Sequence, residues 1–273
     1  MNASISNRNE SLAAAAFSAQ AMKFDEIYSG NKMIEYKRER VRGHLEKLIS
    51  PGDLILELNS GTGEDAIWLA KQHCRVYATD ISGKMLQILK QKVEMGGWQQ
   101  LINYEICSFT GLDHLRQKGP FDVIFSNFAG LNCTGDLDKV LASFSTLLQP
   151  KGIVTLVICP RFCLWEFLLI FKGKFKTATR RFFNKNGRNA RVEGHYFKCW
   201  YYDPSYIIKH LKSDFKLLSV EGLCTLVPPS YIDDFPGKHP RAFQFLKEKE
   251  EHWKCRWPCK YIGDYYIISL QKK

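Results

Sequence analysis

Glu57, Gly61, Gly63, Glu64, Asp65 and Asp80 are the residues of this 273-residue chain whose types and spacing could do chemistry. Gly61-Thr-Gly63-Glu-Asp-Ala66 satisfies the loose GxGxxA pattern, in which small residues let a helix N-terminus cradle a phosphate. Here the first helical turn carries Glu64 and Asp65, and two carboxylates there would repel a pyrophosphate. They are harmless or favourable to a ligand that brings positive charge and no phosphate. Glu57 stands just before the turn and points toward the same mouth. Asp80 lies seventeen residues beyond Gly63, close to the spacing at which a carboxylate accepts hydrogen bonds from ribose hydroxyls.

These residues need a strand and a turn to position them. Leu54-Ile55-Leu56 and Leu58 form a short apolar run suited to a strand buried on both faces, and Asn59-Ser60-Gly61-Thr62-Gly63 is a turn of small residues. Ala66, Ile67, Leu69 and Ala70 then recur at helical spacing, and Arg75 to Asp80 reads as a second strand. Strand, glycine-rich turn and helix make the first unit of a doubly wound sheet, which binds its ligand beyond the carboxyl ends of the strands. A ligand with a cationic amino-acid end and a ribose end is S-adenosylmethionine.

Four segments carry a family resemblance: Leu56-Glu-Leu-Asn-Ser-Gly-Thr-Gly63, Ala78-Thr-Asp-Ile-Ser-Gly-Lys-Met-Leu86, Phe121-Asp-Val-Ile-Phe-Ser-Asn127 and Leu147-Leu-Gln-Pro-Lys-Gly-Ile153. In order and spacing they resemble the motifs of class I S-adenosylmethionine-dependent methyltransferases, over residues 54 to about 158. The resemblance implies an α/β, Rossmann-like, doubly wound sheet of seven strands with the last antiparallel. It also implies S-adenosylmethionine as cofactor and S-adenosylhomocysteine as product. Around that cofactor it places Glu57 and Asn59 to Gly63 on the turn, Asp80, Ile81 and Met85 after the second strand, and Ser108 and Phe109 at the third. Asn127 and Phe128 follow the fourth, and the N-terminal segment, closing over the cofactor, brings Tyr28, Tyr36 or Arg40 near the methionine carboxylate. Asn59 stands where the family usually has its first glycine, and Asn tolerates left-handed backbone better than most residues. Ser108 replaces a common acid, leaving a hydroxyl that can accept one hydrogen bond. Ser126 to Cys133 and Arg161 to Glu166 look like segments of a bacterial subgroup.

The loop after the fourth strand sits at the topological switch point, so Asn132 and Cys133 join Arg161 and Trp165 as candidate acceptor contacts. A loop amide such as Asn132 also serves to satisfy backbone groups, and aromatic stripes such as Tyr28 and Tyr36 also serve as packing. A base is needed only when the acceptor must lose a proton. Candidates are His195, Tyr196 and Glu166. No cysteine spacing reads as a metal site.

The chain divides into an N-terminal helical cap (1–50), a cofactor-binding core (51–158), an insertion acting as an acceptor lid (159–201), and the rest of the core (202–273) with a second insertion (222–262). Residues 11–48 read as two helices. Ser82 caps a helix to about Glu94, Ile102 to Cys107 and Phe121 to Ser126 read as strands, and 136–148 as a helix. A turn at Pro150–Gly152 precedes a strand over 153–158. Pro204 to Leu211 and 241–253 read as helices, Phe215 to Val220 and Tyr265 to Leu270 as strands.

A hydrophobic fraction of 45% with 13% aromatic residues describes a folded chain, and the net charge of +11 invites an anionic partner without choosing one. Nine cysteines without disulfide spacing point to reduced thiols and a cytoplasmic protein. Residues 11–22 are too weakly apolar for a secretory signal, and no run is long enough to span a membrane. The leading reading is methyl transfer to O or N of a small-molecule acceptor, aromatic or lipid-like given the Trp- and Phe-rich insertion. A second is an RNA methyltransferase, with the acid-free basic stretch 172–191 tracking phosphates. A third is a membrane-surface protein anchored by residues 165–171, and a solvated basic face is the plainest account of the charges. The oligomeric state is open.

Overall fold

The computed structural model describes residues 3–182 and 185–273, with side chains from Arg8 onward. The outer edge of the cap at residues 1–2, and Phe183 and Asn184 of the first insertion, lie outside the described residues.

Helices α1 (Ala3–Tyr28) and α2 (Lys32–Leu45) precede the sheet. Asn31 separates them, and its side-chain oxygen accepts the N–H groups of Met33 and Ile34 at 3.0 and 3.2 Å. Strand β1 (Leu54–Leu58) leads through the glycine turn into α3 (Glu64–Lys71). Then come β2 (Arg75–Asp80), α4 (Gly83–Gly96), β3 (Ile102–Ile106), β4 (Phe121–Ser126), α5 (Leu137–Leu147) and β5 (Leu148–Ile158). Ser82 caps α4 by accepting the Met85 N–H at 3.3 Å, and Gly97 ends it with left-handed backbone.

After β5 the first insertion contributes short helices α6 (Leu164–Phe167) and α7 (Phe175–Ala178) and a hairpin of β6 (Arg188–Val192) and β7 (His195–Cys199). Helix α8 (Pro204–Leu211) and β8 (Phe215–Leu223) resume the core. The second insertion holds α9 (Phe235–Lys238) and α10 (Pro240–Trp253), and β9 (Tyr265–Lys272) follows it. The sheet order is β3-β2-β1-β4-β5-β9-β8, with β9 antiparallel to both neighbours and the remaining pairs parallel. This is the seven-stranded, doubly wound α/β sheet that the motifs imply.

Strand β1 shows why a continuous apolar run suits a central position. Ile55 joins the core on the face covered by α2, α3 and α4, whereas Leu56 and Leu58 join the core on the face covered by α5 and α8. All three are fully buried. Each face thus needs an apolar side chain from alternate residues, and no polar alternation remains.

The structure departs from the sequence reading in three places. Helix α1 begins at Ala3, since the small and polar residues before Ser11 continue the turn without a breaker. The expected Pro150–Gly152 turn lies inside β5, where pairing shifts register between Phe121 and Val123 of β4. Lys151 takes φ +64°, the mark of a bulge that tolerates a proline lacking an N–H. The β6–β7 hairpin, which turns at Glu193-Gly194, was not anticipated; its polar residues hide the alternation.

Candidate cofactor and acceptor site

A cavity of about 390 Å³ opens between the carboxyl ends of β1 to β4 and the underside of α1. The turn after β1 reaches it by unusual backbone. Asn59 adopts φ +48°, its side-chain oxygen accepting the Ser126 hydroxyl at 2.6 Å and its amide donating to the Asn127 carbonyl at 2.9 Å. The substitution of Asn for glycine therefore keeps the turn and ties it to the β4 loop. Gly63 has φ +82°, and a Cβ there would lie 2.1 Å from Leu89 Cδ1, so only glycine lets α3 and α4 close behind the turn. Gly63 itself shapes the loop without lining the cavity.

Helix α1 is held down as a roof. Thr62 donates its hydroxyl to Asp25 at 2.6 Å, and the Ser18 and Ser82 hydroxyls meet at 2.7 Å. Asn9 donates to the carbonyls of Cys133 (2.7 Å) and Lys198 (3.0 Å) and accepts the Lys198 N–H (2.6 Å), which ties α1 to β7. Phe17, Phe24 and Tyr28 face inward from this helix.

The charges are distributed differently from the sequence expectation. Glu64 pairs with Arg38 at 3.2 Å and Lys92 at 2.6 Å, and Asp65 with Arg42 at 2.8 Å, so both acids of the first helical turn are neutralised. They do not give the cavity its sign. Glu57 is the acid left without a cation: it is buried, and its Oε2 has no hydrogen-bond partner among the described residues. Burial, reinforced by Asp65, pushes its carboxyl well above the ordinary range. The Ser60 hydroxyl is also buried and has no partner among the described residues. Asp80 accepts the N–H groups of Gly61 (2.9 Å) and Ser82 (2.8 Å); burial raises its pKa, and these bonds pull it back. An unsatisfied carboxylate and hydroxyl beside a fixed second carboxylate suit an ammonium and a pair of ribose hydroxyls.

Ile81, Met85, Cys107 and Phe109 make an apolar slot at the end of β2 and β3. Ser108 is not among its lining residues. Its hydroxyl donates to Glu10 of α1, which also accepts the Thr110 hydroxyl at 2.9 Å, and Glu10 lines the cavity. A carboxylate thus arrives at this edge from the roof, a placement that 98 residues of separation conceal from sequence reading. Asn127 and Phe128 line the cavity from the β4 loop, where Phe128 and Ala129 both have positive φ, at +48° and +59°. Cys133 follows from the same loop.

Other residues singled out in the sequence lie elsewhere. Tyr36 is buried outside the cavity and donates to Glu250 at 3.0 Å; Arg40 beside it pairs with Glu221, Glu250 and Glu251. These helix residues face the second insertion, one step around α2 from the cavity. Arg38 and Lys37 of that helix line it instead. Arg38 lies 5.3 Å over the Phe128 ring, and its Nε has no hydrogen-bond partner among the described residues. The Lys37 ammonium donates to Ser230 at 3.1 Å and to Asp264 at 3.0 Å, 4.4 Å from the centre of the Tyr265 ring.

Glu166 is buried and clamped by Arg180 at 2.6 Å and Arg181 at 2.5 Å, so it is an ion-pair anchor and not a base. Glu166 and Asp264 lie with Cys163 within metal-ligand reach of one another, yet both carboxylates already bind cations. His195 and Tyr196 are exposed on β7 outside the cavity, and Tyr196 packs on Arg191. Asn132 satisfies backbone: its amide donates to the carbonyls of Cys159 and Trp200, and its oxygen accepts the Cys159 N–H. Trp165 donates to the Thr225 carbonyl at 3.1 Å, joining the two insertions outside the cavity. Arg161 is exposed beside Asp203, at a separate surface depression.

Sheet order and glycine turn form a Rossmann-like α/β unit of the kind seen in class I methyltransferase structures. Residues 55–152 match the family described as methyltransferase domain. An uncharacterised methyltransferase of Synechocystis sp. is 31% identical over 140 residues, covering 50% of this chain and 62% of that protein's length. A candidate S-adenosylmethionine-dependent methyltransferase from Listeria monocytogenes superposes with a TM-score of 0.62 at 18% identity, covering 90% of this chain and 100% of the other. The Burkholderia thailandensis 1,6-didemethyltoxoflavin-N1-methyltransferase superposes with a TM-score of 0.56 at 13% identity, covering 98% and 90%. At such identities the two structures are similar in fold.

Proposed function

We propose that the protein transfers the methyl group of S-adenosylmethionine to O or N of a small, largely apolar acceptor held beneath α1. The observation that carries this reading is the roofed cavity, whose volume lies in the range of small-molecule sites and whose roof is hydrogen-bonded to the glycine turn and to β7. The bound cofactor supplies an electrophilic sulfonium methyl. Asp80 is suited to accept from the ribose hydroxyls, Glu57 to face the ammonium, and Arg38 to face the methionine carboxylate. Glu10 is placed at the apolar slot. Methyl transfer is an in-line displacement, so the tasks of the chain are to orient the acceptor and exclude water, and α1 serves both. Tyr28, Cys133, Lys37 and Tyr265 also line the cavity, and the acceptor would sit against that wall. With the three sequence-based bases outside the cavity, a hydroxyl or amine would lose its proton to water or to a group on that wall.

An RNA acceptor has less support. Arg180 and Arg181 of the basic stretch are turned onto Glu166, which leaves Arg188, Arg191 and the lysines to meet phosphates. Nine free cysteines support action in a reducing compartment such as the cytoplasm, and no described helix is long and apolar enough to cross a membrane. Incubating the protein with methyl-labelled cofactor and a cell extract, with and without nuclease, tests the proposal. Label should appear in the small-molecule fraction regardless of nuclease; nuclease-sensitive label in a large fraction would overturn it.

A further inference from the structure

The first insertion leaves the carboxyl end of β5 and runs into α6 and α7. Among the described residues of 160–182, five large apolar side chains face solvent: Phe167, Leu168, Phe171, Phe175 and Phe182, with Phe171 84% exposed and Phe175 61%. Phe162 touches both Phe167 and Phe182, with ring centroids 5.5 and 6.0 Å apart, so part of this surface is continuous. Single exposed hydrophobes are ordinary; five from one short segment are not.

Charge selects the partner. Lys172, Lys174 and Lys176 alternate with Phe171 and Phe175, are exposed, and have no carboxylate partner among the described residues. No acid occurs between Glu166 and Glu193. All four arginines of the stretch already have contacts: Arg180 and Arg181 are folded back onto Glu166, with Arg181 buried, Arg188 donates to the Arg180 carbonyl, and Arg191 lies over the Tyr196 ring. What stays outside is an aromatic tip ringed by lysine ammoniums, whose long stems reach past the rings toward headgroups. We propose that this tip docks the lid onto the surface of an anionic lipid bilayer, inserting Phe171 and Phe175 among the acyl boundaries while Lys172, Lys174 and Lys176 meet the headgroups.

The test is co-sedimentation of the full chain with vesicles of phosphatidylcholine alone and of phosphatidylcholine with phosphatidylserine, across a salt series. Binding should require the anionic lipid and weaken as salt rises. Phe171→Ser with Phe175→Ser should lower vesicle affinity by more than about tenfold. Lys172→Gln with Lys174→Gln and Lys176→Gln should lower it about a hundredfold, at roughly fivefold per charge. Neither variant touches the cavity, so S-adenosylhomocysteine affinity should stay at the wild-type value and shows that the fold is intact. The reading needs no methyl acceptor, so its failure is separable from that of the proposed activity. Equal binding to both vesicle types, or vesicle binding unchanged in the phenylalanine variant, overturns the proposal. So does a wild-type dimer that the phenylalanine change splits into monomers without vesicle binding, or a lysine-dependent affinity for RNA that exceeds that for vesicles.

Discussion

Glu57 combines full burial with an oxygen that finds no partner, an arrangement that costs free energy in the absence of a cation. Its folded-state pKa is raised, so the folded protein holds this proton more tightly than the unfolded chain does. Stability contributed by the group is therefore present at low pH and is lost as pH rises through that elevated value. A ligand ammonium reverses the preference by stabilising the carboxylate. S-adenosylhomocysteine affinity should accordingly rise with pH above the ordinary carboxylate range, and binding should release a proton. Calorimetry in buffers of different ionisation enthalpy reads that release, and Glu57→Gln should abolish it. At Asp80 the expected effect is on affinity alone. Asp80→Ala removes a charged acceptor worth on the order of 1.5–3 kcal/mol, hence about ten- to a hundredfold in the dissociation constant. An unchanged constant in a variant with native circular dichroism would count against its role at the ribose.

Among the elements, the first insertion divides between an interior anchor and an exterior face. Arg181 bonds Glu166 and Asp264 at once, and Asp264 also holds Lys37, so a chain of buried charges runs from the first insertion to the cavity wall. Removing one member leaves the others buried without compensation. Glu166→Gln should cost about 3–5 kcal/mol of stability by denaturant unfolding, with S-adenosylhomocysteine affinity little changed. His195→Ala, on the exposed hairpin, should alter stability by less than about 0.5 kcal/mol and leave the pH profile of methyl transfer unchanged. A shifted profile for His195→Ala would restore it as a proton acceptor.

For the whole molecule, the cavity is built from both ends of the chain: α1 roofs it, the β1 to β4 ends floor it, and Lys37 and Tyr265 close one side. Ligand binding should therefore stabilise the fold cooperatively. S-adenosylhomocysteine at a hundredfold over its dissociation constant adds about 2.7 kcal/mol, which should raise Tm by roughly 5–10 °C in a thermal melt. NADH should leave Tm unchanged. With Glu64 and Asp65 neutralised, that exclusion rests on Glu57 and on the shape of the cavity, and a matching NADH shift would revive the dinucleotide alternative.

The sheet and the cofactor turn were legible in the sequence because their signals are local. A continuous apolar run demands two-sided burial, and a left-handed turn demands Gly or Asn within a few residues of it, so Ile55, Asn59, Gly63 and Asp80 could be read in order. The roof and the far wall were not legible. Glu10 and Ser108 meet across 98 residues, Lys37 and Asp264 across 227, and no periodicity reports such a pairing. On α2 the tertiary structure alone decided that Lys37 and Arg38 face the cavity while Tyr36 and Arg40 face the second insertion. Helical spacing identifies neighbours on a face but not what that face packs against. For the same reason Glu166 read as a free carboxylate until folding brought Arg180 and Arg181 onto it. Local pattern thus determined the strand, the turn and the carboxylate that ends the second strand, and long-range packing decided which remaining charges were spent on each other and which were left facing the cavity.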